Sequence, residues 1–324
     1  MNILPNQVKR LLLLAITDTT EEDAMRILGR YKNGNITTTI LDDGTKIRRT
    51  EDDEFRPLYA ENCDVKITDY CDGGCPMCYE GCTTNGKHGQ LFDYPNLIES
   101  LHPYTELALN GNDLSHPLLV PFLLKLKEKK VIANLTVNQM HFERYYNFIC
   151  DIIESNLIHG LGISLNNPTD NFITKVKHFP NAVIHTINGV LTQRQAEKLA
   201  DNDLKILILG YKYMERGVSY YQDNENKLKA NQAWLYNHLD ELTQRFKCVS
   251  FDNLAIKQLD VKRLMSEEEW ETFYMGDDGS FTFYIDMVDG TFGKNSLTPK
   301  DKRIPIGDKT IDEMFEIVRN NNWD

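Results

Sequence analysis

The chain has no apolar run long enough to cross a bilayer. Its longest such stretch near the start is Leu11 to Ile16, whereas a spanning helix takes about 20 apolar residues. Lys9 and Arg10 precede that stretch, but acidic residues follow at once (Asp18, Glu21, Glu22, Asp23) with no small-residue cleavage site. The expectation is an N-terminal helix retained in a cytoplasmic protein, not a signal peptide. Basic residues are in deficit. With 36 Lys and Arg against 48 Asp and Glu the net charge is −12, which argues against non-specific affinity for nucleic acid and leaves room only for a local basic cleft. Seven cysteines in 324 residues are too few for a disulfide scaffold, and in a reducing compartment they are expected as thiolate ligands. There is no low-complexity tract or tandem repeat, and the composition excludes collagen-like and disordered chains. What is present, 41% hydrophobic residues over 324 positions, suffices for a sizeable core in one large α/β domain or two smaller ones.

Residues 1–60 read as an extension. Gln7 to Ile16 is apolar at near-helical spacing, Thr20 and Asp23 resemble a capping box, and Ala24, Ile27 and Leu28 continue a helical face. Asn33-Gly34 ends it. Ile36 to Leu41 and Thr45 to Arg49 then flank Asp42-Asp43-Gly44 as a β-hairpin. Over 61–250 strand and helix alternate. Strands are expected at 64–68, 106–109, 132–137, 161–165, 182–186 and 205–209, with helices at 91–101, 117–129, 141–155, 170–178, 192–200 and 226–246. Six βα units in series imply a parallel sheet with right-handed crossovers. The expected fold is α/β, a partial (β/α)6 TIM-like barrel. An edge strand at 248–251 closes this part. A C-terminal α+β section, 251–324, with a strand at 281–287 and a helix at 311–318, is expected to cover the barrel.

The informative segment runs Asp69-Tyr70-Cys71-Asp72-Gly73-Gly74-Cys75-Pro76-Met77-Cys78-Tyr79-Glu80-Gly81-Cys82. It follows the first strand, at the end where a (β/α) barrel builds its active site. Three thiolates spaced C-x3-C-x2-C on one tight loop suit a single centre, and thiolates suit zinc or an iron–sulfur cluster. The spacing and its place in the array resemble the radical S-adenosyl-L-methionine (radical SAM) superfamily, over roughly residues 63–212.

The resemblance implies that Cys71, Cys75 and Cys78 hold a [4Fe–4S] cluster whose fourth iron binds S-adenosylmethionine. Leu107 to Pro117 is similar to the family's Gly-Gly-Glu-Pro segment, which meets the cofactor's amino group. Asn110, Gly111 and Asn112 occupy the matching positions, with Asn110 in place of a glycine and Asn112 in place of the glutamate. Ser164 and Asn166 resemble the family's contacts to ribose and carboxylate. Asn188 after strand five and Leu209 at strand six lie where relatives border the adenine. Met77, where the family usually has an aromatic residue, is expected to pack on adenine through its thioether. The implied chemistry is one-electron cleavage of the cofactor to methionine and a 5′-deoxyadenosyl radical, which abstracts hydrogen from a substrate in an oxidoreductase or transferase reaction. An electron donor such as flavodoxin or ferredoxin is implied.

Several residues stay open to more than one reading. Cys82 is a plain loop cysteine, a thiol near the substrate, or the fourth ligand of a C-x3-C-x2-C-x3-C zinc site. Lys87 and His88, between glycines, suit either an anionic substrate and proton transfer or a solvated loop. His116 reads first as packing or capping, and Asp286 and Asp289 as surface carboxylates. No second C-x2-C pair supports auxiliary clusters of the SPASM type. The leading substrate is a peptide or protein. The alternatives are a nucleotide or small metabolite, with Lys87, Arg216 or Lys294 as phosphate contacts, and a zinc-stabilised, non-catalytic binding module.

Overall fold

The structure, a computed structural model, describes residues 2–3, 26–110 and 113–323. The helices expected before residue 26 lie outside the described residues. In chain order the described strands are β1 (Asn2–Ile3), β2 (Ile27–Asn33), β3 (Ile36–Leu41), β4 (Lys46–Arg49), β5 (Asn62–Lys66), β6 (Glu106–Asn110), β7 (Ile132–Asn138), β8 (Gly160–Ser164), β9 (Ala182–Ile187), β10 (Lys205–Leu209), β11 (Cys248–Phe251), β12 (Thr282–Asp286), β13 (Thr291–Gly293) and β14 (Ile304–Pro305). Two compact units share them. The first comprises residues 26–74, 82–161 and 276–324, the second residues 75–81 and 162–275 with β1.

In the first unit the strand order is β7-β6-β5-β12-β13-β14. β7, β6, β5 and β12 run parallel, with Val65 in register with Leu109 on one side and Ile285 on the other. Val65, Leu109, Leu135, Phe283 and Ile285 are buried, as strands covered on both faces require. Helix Leu119–Glu128 buries Leu119, Phe122, Leu123 and Leu126, the 3–4 spacing of one apolar face. Helix Ile311–Asn320 does the same with Ile311, Met314, Phe315 and Val318, and starts on a capping box of Thr310 and Glu313.

Four local expectations change here. Ile27 and Leu28 do not continue a helix. They open β2, which pairs antiparallel with β3 across the Gly34-Asn35 turn, so the hairpin becomes a three-stranded sheet β2-β3-β4. The first parallel strand begins at Asn62 rather than Asp64, because Asn62 and Cys63 already pair with β6 and β12. The long helix expected at 141–155 is two, Gln139–Arg144 and Tyr146–Glu154, broken where Tyr145 leaves helical backbone (φ −110°, ψ 26°). The late strand β12 joins β5 in parallel instead of standing in a separate section.

In the second unit β9, β10 and β11 run parallel, β8 lies beside β9, and β1 pairs antiparallel with β11. β11 is therefore an inner strand, not the edge the sequence suggested. Ile184, Ile206, Ile208 and Val249 are buried. Helices Asp170–Val176, Gln193–Leu199, Arg216–Gln244 and Asn253–Leu259 alternate with these strands. No helix among the described residues is long and apolar enough to cross a membrane.

Candidate functional site

Beyond β5 the chain keeps a regular course for two more buried residues, Ile67 and Thr68, and then opens into the cysteine loop. The loop is closed at its base by backbone bonds. Asp69 N–H donates to Lys87 O (2.8 Å), Cys71 N–H to Thr83 O (2.9 Å), Thr83 N–H to Asp69 O (3.1 Å), and Gly89 N–H to Ile67 O (2.8 Å). Gly86 is required there, since a Cβ at that position would lie 2.0 Å from Asp69 O.

The first arm carries Cys71, whose sulfur accepts from Gly73 N–H (3.3 Å). Between them Asp72 is fastened to helix Gln139–Arg144. Its carboxylate accepts from His141 Nε2 (2.5 Å) and from Arg144 Nη1 (2.6 Å). These two hydrogen bonds, His141 first, hold the Asp72 carboxyl down to about 2. Because that lies below the ordinary value of about 3.9, the stabilisation is fully present above pH ~4 and is lost as pH falls through the folded value. His141 is buried, and its Nδ1 has no hydrogen-bond partner among the described residues. The Asp72→Ala protein, which leaves the buried His141 Nε2 without its acceptor, is expected to lose about 1–3 kcal/mol of stability in urea denaturation. Arg144→Ala, at an exposed guanidinium, is expected to lose less. His141 and Arg144 were missed from sequence. Their only local signal is the i, i+3 spacing of a histidine and an arginine just after the Asn138 cap of a helix that follows β7.

His88 and His116 form a second feature of this unit. His88 Nδ1 lies 2.9 Å from Thr68 Oγ1, and the two imidazoles meet edge to face at 5.0 Å. Burial lowers the pKa of both, so His88 is a neutral imidazole at neutral pH. His116 Nδ1 accepts from Leu118 N–H (3.0 Å) and its Nε2 donates to Gly89 O (3.0 Å), which makes it a structural latch on the returning loop. Cys82 is buried. Asn110 ends β6, and its Oδ1 is buried with no hydrogen-bond partner among the described residues. Gly111 and Asn112 lie outside the described residues.

The second unit holds the other arm, residues 75–81. Cys78 N–H donates to Cys75 O (3.2 Å) and Gly81 N–H to Cys78 O (3.4 Å), a compact double turn. Arg216, at the start of helix Arg216–Gln244, donates from Nε to Cys75 O (3.1 Å). Lys212 Nζ sits 3.8 Å from the centre of the Tyr79 ring. Arg216, expected as a phosphate contact, thus braces the cysteine turn. Cys71, Cys75, Cys78 and Met77 are all half-buried.

The carboxyl ends of β8, β9 and β10 carry the remaining candidates. Ser164 ends β8, half-buried. Asn166 is exposed, and its carbonyl accepts from Gln195 Nε2 (2.9 Å). Asn188 and Leu209 are brought together: Asn188 N–H donates to Leu209 O (2.8 Å). Asn188 is 2% exposed, and its Oδ1 has no hydrogen-bond partner among the described residues. On β9 burial holds the pKa of His185 down to about 4, so it is neutral.

No protein-family profile matches the chain, and no curated protein matches its sequence. By fold it is similar to Streptococcus suis SuiB, solved bound to S-adenosylmethionine, with a TM-score of 0.56 and 12% identity over 82% of this chain and 67% of that one. The likeness shows a mixed α/β fold with a large, mostly parallel sheet.

Proposed function

We propose that the protein is a radical S-adenosylmethionine enzyme, built on a partial (β/α)6 barrel, in which Cys71, Cys75 and Cys78 hold a [4Fe–4S] cluster. The observation that carries the reading is the C-x3-C-x2-C loop after β5 in a chain whose fold resembles that of SAM-bound SuiB. The donor chemistry suits the group, although among the described residues no three or more His, Cys, Asp or Glu side chains are placed to hold a metal ion. Three half-buried thiols supply soft donors, and the Gly73 N–H already directed at Cys71 sulfur is the kind of hydrogen bond that tunes cluster potentials. Two buried amide oxygens, Asn110 Oδ1 and Asn188 Oδ1, have no partner among the described residues, as acceptors waiting for a ligand would.

When bound, the cluster and S-adenosylmethionine supply one-electron carbon–sulfur cleavage and hydrogen abstraction from an unactivated C–H bond. The chain's own part is to bind, orient and exclude water. Asn110 is assigned to the cofactor's ammonium group, Ser164 and Asn166 to its ribose and carboxylate, and Asn188, Leu209 and Met77 to its adenine. Asp72, through His141 and Arg144, fixes the first arm of the loop; Arg216 fixes the second. His88 and Cys82 are assigned to the substrate side, with neutral His88 able to accept a proton. A flavodoxin or ferredoxin supplies the electron. The proposed substrate is a peptide or protein, supported by the separate β2-β3-β4 sheet, which takes no part in the parallel sheet.

Anaerobic incubation with S-adenosylmethionine and dithionite tests the reading before any substrate is known. The expected result is 5′-deoxyadenosine and methionine in equal amounts. Colourless protein holding one zinc would overturn the reading in favour of a binding module.

A further inference from the structure

A side-chain relay from Tyr211 through Gln258 fixes the orientation of the Asn188 amide. Helix Asn253–Leu259 packs against the end of β10 so closely that a Cβ on Gly210 would lie 2.4 Å from Leu254 Cγ. That approach lets Gln258 grip the Tyr211 peptide at both ends. Gln258 Oε1 accepts from Tyr211 N–H (2.9 Å) and Gln258 Nε2 donates to Tyr211 O (2.9 Å). A backbone N–H can only donate and a carbonyl can only accept, so Tyr211 settles the orientation of the Gln258 amide. The same Gln258 Oε1 also accepts from Asn188 Nδ2 (3.0 Å). Asn188 must therefore turn its NH2 toward Gln258, and its Oδ1 is the end left over. That oxygen is buried without a partner among the described residues, at the carboxyl ends of parallel strands, where α/β sheets bind ligands.

We infer that Gln258 is a positioning residue that locks Asn188 as a hydrogen-bond acceptor, and that this end of the second unit thereby selects a purine with a 6-amino group over one with a 6-oxo group. Fixed polarity is what singles out the base. A ribose hydroxyl both donates and accepts, and either end of an amide serves it. The 6-amino group of adenine only donates. A 6-oxo group would place acceptor against acceptor and leave both buried oxygens unsatisfied. The inference rests on the adenosyl cofactor proposed above and adds its base selectivity and the residue that enforces it.

The experiment is equilibrium binding of S-adenosylmethionine and of its inosyl analogue, 6-oxo in place of 6-amino, to the anaerobically reconstituted full chain. The wild type is expected to bind the adenosyl form at least about tenfold more tightly, about 1.4 kcal/mol. In Asn188→Leu and in Gln258→Leu the ratio is expected to fall to within about threefold, the first by removing the acceptor and the second by letting the amide rotate. Gln258→Glu loses the bond to Tyr211 O but keeps an oxygen for Tyr211 N–H and Asn188 Nδ2, so it is expected to lose stability and still keep the ratio, which a merely structural role for Gln258 would not predict. A wild type that binds S-adenosylmethionine without distinguishing the base overturns the inference, as does an unchanged ratio in Asn188→Leu. A wild type that binds neither compound overturns the cofactor assignment itself, and the inference with it. Should Gln258→Leu not fold, the wild type and Asn188→Leu still decide.

Discussion

The Cys75→Ala protein, purified without oxygen, is expected to lose its bound iron and sulfide and to form no detectable 5′-deoxyadenosine. A cluster held at only three corners has no spare protein ligand, so one missing thiolate is not compensated. Cys82→Ala is the informative control. If the metal centre uses Cys71, Cys75 and Cys78 alone, the Cys82→Ala protein keeps about four irons and four sulfides per chain. If the loop were a closed four-thiolate zinc site, Cys82→Ala would lose its metal as readily as Cys75→Ala. Iron and sulfide analysis with visible absorbance separates the two outcomes without an activity assay. An iron-loaded, active Cys75→Ala protein would refute the ligand assignment. The fold should survive the substitution, because Cys75 is half-buried in a surface turn held by its backbone.

What could be read from the sequence was what is local in the chain. The C-x3-C-x2-C spacing, the alternation of strand and helix from β5 to β10, and the helix expected at 192–200 and observed at Gln193–Leu199 each rest on signals within a few residues. What could not be read depends on partners far apart in sequence. Asp72 meets His141 across 69 positions, and Asn188 meets Gln258 across 70; no periodicity announces either. Ile27 and Leu28 illustrate the same limit. They satisfy a helical spacing, and only pairing with β3 decides for strand, a case of tertiary context overriding a short local pattern. The family position singles out Asn188 as a candidate but says nothing of the polarity of its amide, because that follows from the Tyr211 peptide two contacts away.

The second large effect is expected at Asp286, whose neighbour Asp289 looks equivalent in the sequence. Both carboxylates flank the end of β12. The structure separates them. Asp286 is fully buried and accepts from Arg303 Nη1 (2.9 Å) and from the backbone N–H groups of Val288 and Asp289 (3.0 Å each). Lys66 Nζ, 1% exposed, lies 3.5 Å away and also reaches Asp69 Oδ1 at 2.5 Å, at the base of the cysteine loop. Asp286 thus neutralises buried cations, whereas Asp289 pairs with the exposed Lys300 (2.9 Å). Removing one partner of a buried ion pair strands the other, so Asp286→Ala is expected to lose about 3–5 kcal/mol in urea denaturation. Asp289→Ala is expected to stay within about 1 kcal/mol of wild type, as a surface pair does. Asp286→Ala should also loosen the loop that Lys66 and Asp69 anchor, seen as faster amide exchange at Cys71 and Thr83 than the global loss of stability accounts for. Equal losses in the two proteins would mean that the buried charges contribute nothing beyond surface electrostatics. A large loss confined to Asp286→Ala, with exchange spreading into the loop, would tie the late strand β12 to the cysteine loop through Lys66.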